Sequence, residues 1–80
     1  MSREEVITWD ESPERVIVRV ATGDLLAGLR AAAPRIPQGW RVCRWHAQDG
    51  RLEIVAMPRP ETWCRAETAI VDEARVGRRG

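Results

Sequence analysis

The chain has no lysine, asparagine, phenylalanine or tyrosine, and only one histidine and two cysteines in 80 residues. The four missing residue types all have AT-rich codons, so their joint absence points to a high-GC bacterial genome rather than to a chemical demand. All 13 basic side chains are therefore arginines, set against 12 carboxylates for a net charge of +1. No apolar run approaches the roughly 20 residues needed to span a bilayer, and the opening Met1-Ser2-Arg3-Glu4-Glu5 lacks the apolar stretch of a signal peptide. The expectation is a cytoplasmic protein that does not engage a membrane. Cys43 and Cys64 are too few for a secreted disulfide framework, and in a reducing compartment both are expected as thiols.

Catalytic constellations are missing in the same way. The serines are Ser2 and Ser12, one near the start of the chain and one in a predicted turn, so no serine triad can be assembled. Cys43 and His46 are three apart in a predicted strand and point to opposite faces, which argues against a shared metal ion and against a thiol activated by an imidazole. Adding Cys64 still leaves the set short of the four ligands of a structural zinc site. Gly23, Gly28 and Gly39 fit no phosphate-binding fingerprint. These exclusions predict a protein that is not an enzyme and carries no cofactor or metal.

What is present describes a globular domain. Apolar residues make up 44% and charged residues 31%, too hydrophobic and too nearly neutral for a disordered chain. A chain of this length forms one domain, near the size at which a core is marginal and support from a partner or a dimer mate is common. We expect an ordered core over about residues 4–76 and a frayed tail over 77–80.

Two β-branched segments, residues 5–9 and 15–20, flank Asp10-Glu11-Ser12-Pro13-Glu14 and predict a hairpin. A four-residue loop over Glu11–Glu14 would pair Asp10 with Arg15, Trp9 with Val16 and Ile7 with Val18, collecting Ile7, Trp9, Val16, Val18 and Val20 on one face. Thr22-Gly23-Asp24 offers capping residues before Leu25, Leu26, Leu29, Ala32 and Ala33, a helix over about 24–33 closed by Pro34. Gly28, costly inside a helix, marks a close approach of that helix to the sheet. Asp49-Gly50 is a favoured two-residue hairpin turn. Counting outward puts Cys43, Trp45, Ala47, Leu52, Ile54 and Ala56 on an apolar face. Trp40, Val42, Arg44, His46, Glu53, Val55, Met57 and Arg59 fall on the other. Glu61–Val76 carries Trp63, Ala66, Ile70 and Ala74 at helical spacing and predicts a second helix, with a strand within Thr68–Val71 as the competing assignment. The fold class is α+β, a small two-layer domain of order ββαββα, with an antiparallel sheet of two hairpins packed against two helices.

Pro37-Gln38-Gly39-Trp40-Arg41-Val42 is similar to the Pro-x-Gly-Trp segment of the small MbtH-like proteins that assist peptide synthetases. The likeness covers six residues. That family's Asn-x-Glu-x-Gln and Ser-Leu-Trp-Pro signature has no counterpart here, so the chain is not assigned to it.

Charge is unevenly placed. Residues 1–24 hold three arginines and six acids, whereas residues 25–59 hold six arginines and two acids. The mixed Trp, Met and Arg face made by Trp40, Val42, Arg44, Val55, Met57 and Arg59 has the composition of an interface centre, unless the second helix or a dimer mate covers it. The expected function is a small non-enzymatic protein–protein interaction module that occludes or bridges a larger partner, possible homodimerisation included. By analogy it would be an accessory protein of a phage or mobile element, such as an anti-CRISPR inhibitor of a bacterial defence complex. The acidic turn with Asp10, Glu11 and Glu14 is the alternative contact, a phosphate mimic for an arginine-lined groove. Nucleic-acid binding through Arg41, Arg44, His46 and Arg51 on the basic second hairpin is the rival reading.

Overall fold

A computed structural model describes residues 6–77. The order is β1 (Val6–Glu11), β2 (Val16–Val20), α1 (Leu25–Ala32), a 3-10 turn (Ala33–Arg35), β3 (Arg41–Gln48), β4 (Arg51–Met57) and α2 (Arg65–Gly77). This is the expected ββαββα, and the two hairpins join into one antiparallel sheet of order β1-β2-β4-β3. The signal-peptide reading and the fraying of 78–80 fall outside the described residues, while Gly77, also expected to fray, closes α2.

The first hairpin turns one residue later than its sequence suggests. Glu11 pairs with Val16, and the loop runs over residues 12–15. Ser12 sets this length: its hydroxyl accepts from the N–H groups of Glu14 (3.3 Å) and Arg15 (3.2 Å), and its own N–H donates to the Arg15 carbonyl (2.9 Å). A serine folding back on its own turn is a local preference that strand-pattern counting does not see. The resulting slip moves the pairing by two positions, so Trp9, Val16, Val18 and Val20 still share a face. A bulge between Val6 and Thr8 then exchanges the first two residues. Val6 packs against the core, and Ile7, expected inside, is 43% exposed.

The second hairpin follows its expected register from the turn as far as Arg44. Asp49 (φ 54°) and Gly50 (φ 74°) both take the left-handed backbone of the two-residue turn. Gln48 pairs with Arg51, Trp45 with Ile54 and Arg44 with Val55. A second bulge between Val42 and Arg44 leaves Cys43 unpaired and sets Val42, in place of Cys43, opposite Ala56. Every assignment N-terminal of the bulge changes face as a result.

Both helices lie on one side. The chain is capped into α1 by Asp24, whose carboxylate accepts the Ala27 N–H at 3.1 Å. Leu29 and Ala32 of α1 and Val71 of α2 join Val16, Val18, Val20, Val42, Leu52, Ile54 and Ala56 in a single core. α1 packs over β2 and β4, and α2 packs over β3 and against α1. Gly28 does sit where α1 meets the sheet, because a Cβ there would overlap Leu52 Cδ2. α2 also seals the margin of β3. The Val42 N–H donates to Thr68 Oγ1 at 2.9 Å, and the Val42 carbonyl accepts from the Cys64 N–H at 2.8 Å. Thr68 and Val71 are helical, so the competing strand assignment is not adopted.

Candidate functional site

With α1 and α2 on the same side, the other face of the four-stranded sheet carries no helix among the described residues. Strand alternation places Thr8, Asp10, Ile17, Arg19, Arg44, His46, Glu53, Val55 and Met57 on it. Ile17, Val55 and Arg44 stand side by side across three strands, with Arg19, Glu53 and His46 in the next tier.

The two ends of this face differ electrostatically. Toward the Asp49-Gly50 turn, Arg19 is tied down: its Nε and Nη2 each lie 3.1 Å from Glu53 Oε2, and its Nη1 lies 3.7 Å from Asp10 Oδ2. Glu53 from the same tier and Asp10 from beside Ile17 are thus both spent on one arginine. Asp10 stands opposite Ile17 rather than Arg15, whereas His46 does stand opposite Glu53, as the turn predicts. His46 Nε2 shares a hydrogen bond with Gln48 Oε1 at 3.2 Å. At the opposite end, Arg15, Cys43, Arg44, Val55, Met57, Glu61 and Thr62 line a shallow depression. Arg15 and Arg44 have no carboxylate partner there among the described residues.

The expected interface residues divide. Arg44, Val55 and Met57 do come together in this depression, although Val55 is 3% exposed and serves as its floor. Val42 is a correction: the bulge at Cys43 turns it to the helix side, where it is 1% exposed in the core. Trp40 is another, since it precedes β3 and packs against the core rather than standing on the open face. Arg59 is exposed in the loop between β4 and α2 and pairs with nothing in the ladder. Of the rival set, Arg44, His46 and Arg51 line the open face, and Arg41 lies over the Trp63 ring at 4.9 Å. Asp10, Glu11 and Glu14 are all exposed, with Asp10 held by Arg19.

The tryptophans exchange roles relative to expectation. Trp9 and Trp45 sit on the helix side but at the two sheet margins, 40% and 38% exposed. Each is held by a polar neighbour: Arg35 stacks on Trp9 at 3.8 Å, and Trp45 Nε1 donates to Glu67 Oε2 at 3.0 Å. Trp63 lies in the loop before α2 rather than on its apolar stripe, with Arg41 and Arg65 (5.4 Å) over its ring. Arg15 of the depression is the residue that sequence reasoning missed, and alternation with Ile17 and Arg19 could have found it.

Among the described residues no group of three or more His, Cys, Asp or Glu side chains is placed to hold a metal ion, and no helix is long and apolar enough to cross a membrane. No protein-family model, curated protein or solved structure matches the chain significantly.

Proposed function

We propose that the chain is a non-enzymatic binding module that docks the helix-free face of its sheet on an acidic surface of a larger protein. The observation that carries this reading is the juxtaposition, on one open face, of an apolar strip (Ile17, Val55, Met57) with Arg15 and Arg44, neither of which has a carboxylate partner among the described residues. An apolar centre rimmed by arginine suits a protein surface that offers carboxylates around an apolar contact. A chain of this size acts by covering or bridging what it binds. That mode would suit an inhibitor of a bacterial defence complex carried by a phage or mobile element.

One observation favours a second reading: Arg44, His46 and Arg51 share the same face, as a phosphate-binding surface requires. Against it, no tryptophan stands on the open sheet to stack a base, because Trp9, Trp40 and Trp45 are all on the helix side or at its margins.

Affinity capture on the intact chain, followed by mass spectrometry, tests the proposal when paired with R15E/R44E on the open face and R30E on exposed α1. The expected result is a protein retained by wild type and R30E and weakened about tenfold or more by R15E/R44E. Equal retention by all three would reject this face. Mobility shifts with short RNA and DNA decide the second reading, which requires binding that weakens steeply as salt rises.

A further inference from the structure

Cys43 and Cys64 are both free, half-buried thiols. Cys43 is the extra residue of the β3 bulge, and Cys64 immediately precedes α2. Although 21 residues separate them in sequence, Cys64 Sγ lies 3.7 Å from the Cys43 carbonyl oxygen. The Cys64 N–H donates to the preceding carbonyl, that of Val42, at 2.8 Å. Two main chains hydrogen-bonded in this way run about 5 Å apart, as neighbouring strands do. That spacing lies inside the roughly 4.4–6.8 Å Cα separation of a disulfide. Thr68, one turn into α2, accepts the Val42 N–H, so Val42, the neighbour of Cys43, is held at both its N–H and its carbonyl. Cys43 also lines the depression on the open face, which gives a small molecule in solution a path to it.

We propose that Cys43 and Cys64 form a reversible intramolecular disulfide when the protein meets a small disulfide oxidant of the glutathione type. The Cys43 thiolate attacks one sulfur of the oxidant, forming a protein mixed disulfide and expelling one small thiolate. The Cys64 thiolate then attacks the Cys43 sulfur and expels the second. The two protons released by the protein thiols are taken up by the two expelled thiolates, giving two small thiols, so the protein is oxidised by two electrons and the oxidant is reduced by two. The order follows from accessibility and from Cys64 itself, whose thiol is pushed up by burial first, then by Glu67 and by Cys43. Capping Cys43 as a mixed disulfide removes the last of these and readies Cys64 to resolve it. The cross-link fastens the start of α2 to the bulge at the rim of the open sheet face, and small thiols reverse it.

Oxidised glutathione added to dilute wild-type protein, followed by acid quench and intact-mass measurement, tests this. The expected species has lost two hydrogen atoms, contains no alkylatable thiol and gives a single peptide joining Cys43 to Cys64. C64S should stop at a stable glutathione adduct on Cys43. A wild type that accumulates glutathione adducts, or that forms cross-linked dimers instead, overturns the proposal. Because serine variants could fold poorly, a second measurement uses wild type alone: the equilibrium constant for disulfide formation should be at least about tenfold larger for native protein than for the same chain in denaturant. Equal constants would show that the fold does not bring the two thiols together.

Discussion

At the scale of single residues, the fold is decided by a few side chains whose chemistry overrides a general preference. Gly28 is the clearest. In an exposed helix, alanine in place of glycine would add about 1 kcal/mol. Here the added Cβ would overlap Leu52 Cδ2, and Leu52 is fully enclosed in the core and cannot swing away. G28A is therefore expected to cost about 1–3 kcal/mol by urea denaturation, as overpacking does. In an L52A background, where the obstructing atoms are gone, the same change should be neutral or stabilising, and the double-mutant cycle reads the coupling directly. This contact was legible in the sequence, since a glycine amid good helix formers needs a reason. The tryptophans were not. Nothing in their spacing shows that Trp9 and Trp45 lie at sheet margins under a guanidinium and beside a carboxylate, because those partners come from the 3-10 turn and from α2, 22 or more residues away in the chain.

At the scale of elements, register is where sequence reading succeeded and then stopped. The Asp49-Gly50 turn fixed β3 against β4 outward to Arg44 because turn geometry and burial agree there. It could not carry further, since a bulge has no composition of its own and Cys43 resembles its neighbours. Ser12 misled the loop of the first hairpin by one residue, and a compensating slip kept Trp9, Val16, Val18 and Val20 on one face while the bulge turned Ile7 out. The packing of α2 along β3 was also beyond the pattern. Thr68 reads as an ordinary helix residue, yet its hydroxyl satisfies the buried Val42 N–H at a strand margin where no further strand pairs. Replacing it by the near-isosteric valine leaves that donor without an acceptor, so T68V should cost about 1–3 kcal/mol. Hydrogen exchange supplies the specific check: the Val42 amide should lose protection beyond what the global loss of stability explains, while amides of β2 should not.

At the scale of the whole molecule, the two-layer arrangement was expected, and its consequence for charge was not. Joining the hairpins through β2 and β4 sets Glu53 opposite Arg19, which also meets Asp10 of its own hairpin, so among the described residues Arg15 and Arg44 are left without a carboxylate partner at the other end of the face. The missing residue types also shape the alkaline response. Cys64 ionises above its ordinary value of 9.0 in the folded chain, because of burial, Glu67 and Cys43. Between the unfolded and folded values the native state holds a proton that the unfolded state has lost, so stability is full below about pH 9 and falls as pH rises through the folded value. No lysine or tyrosine titrates over that range to obscure it. Urea midpoints followed across that range should show the decline in wild type and its loss in C64A. The bulges at Ile7 and Cys43 carry one more consequence, for how this chain can change in length. Val42 and Arg44 already face opposite sides while opposing the consecutive residues Ala56 and Val55. Excising the single codon for Cys43 would therefore close the ladder with every neighbour still facing its present side, whereas losing a codon from a regular stretch inverts all that follows. The sheet is thus built to tolerate an odd step in its reading frame of inward and outward residues at two positions, and those are where insertions and deletions among its descendants would survive.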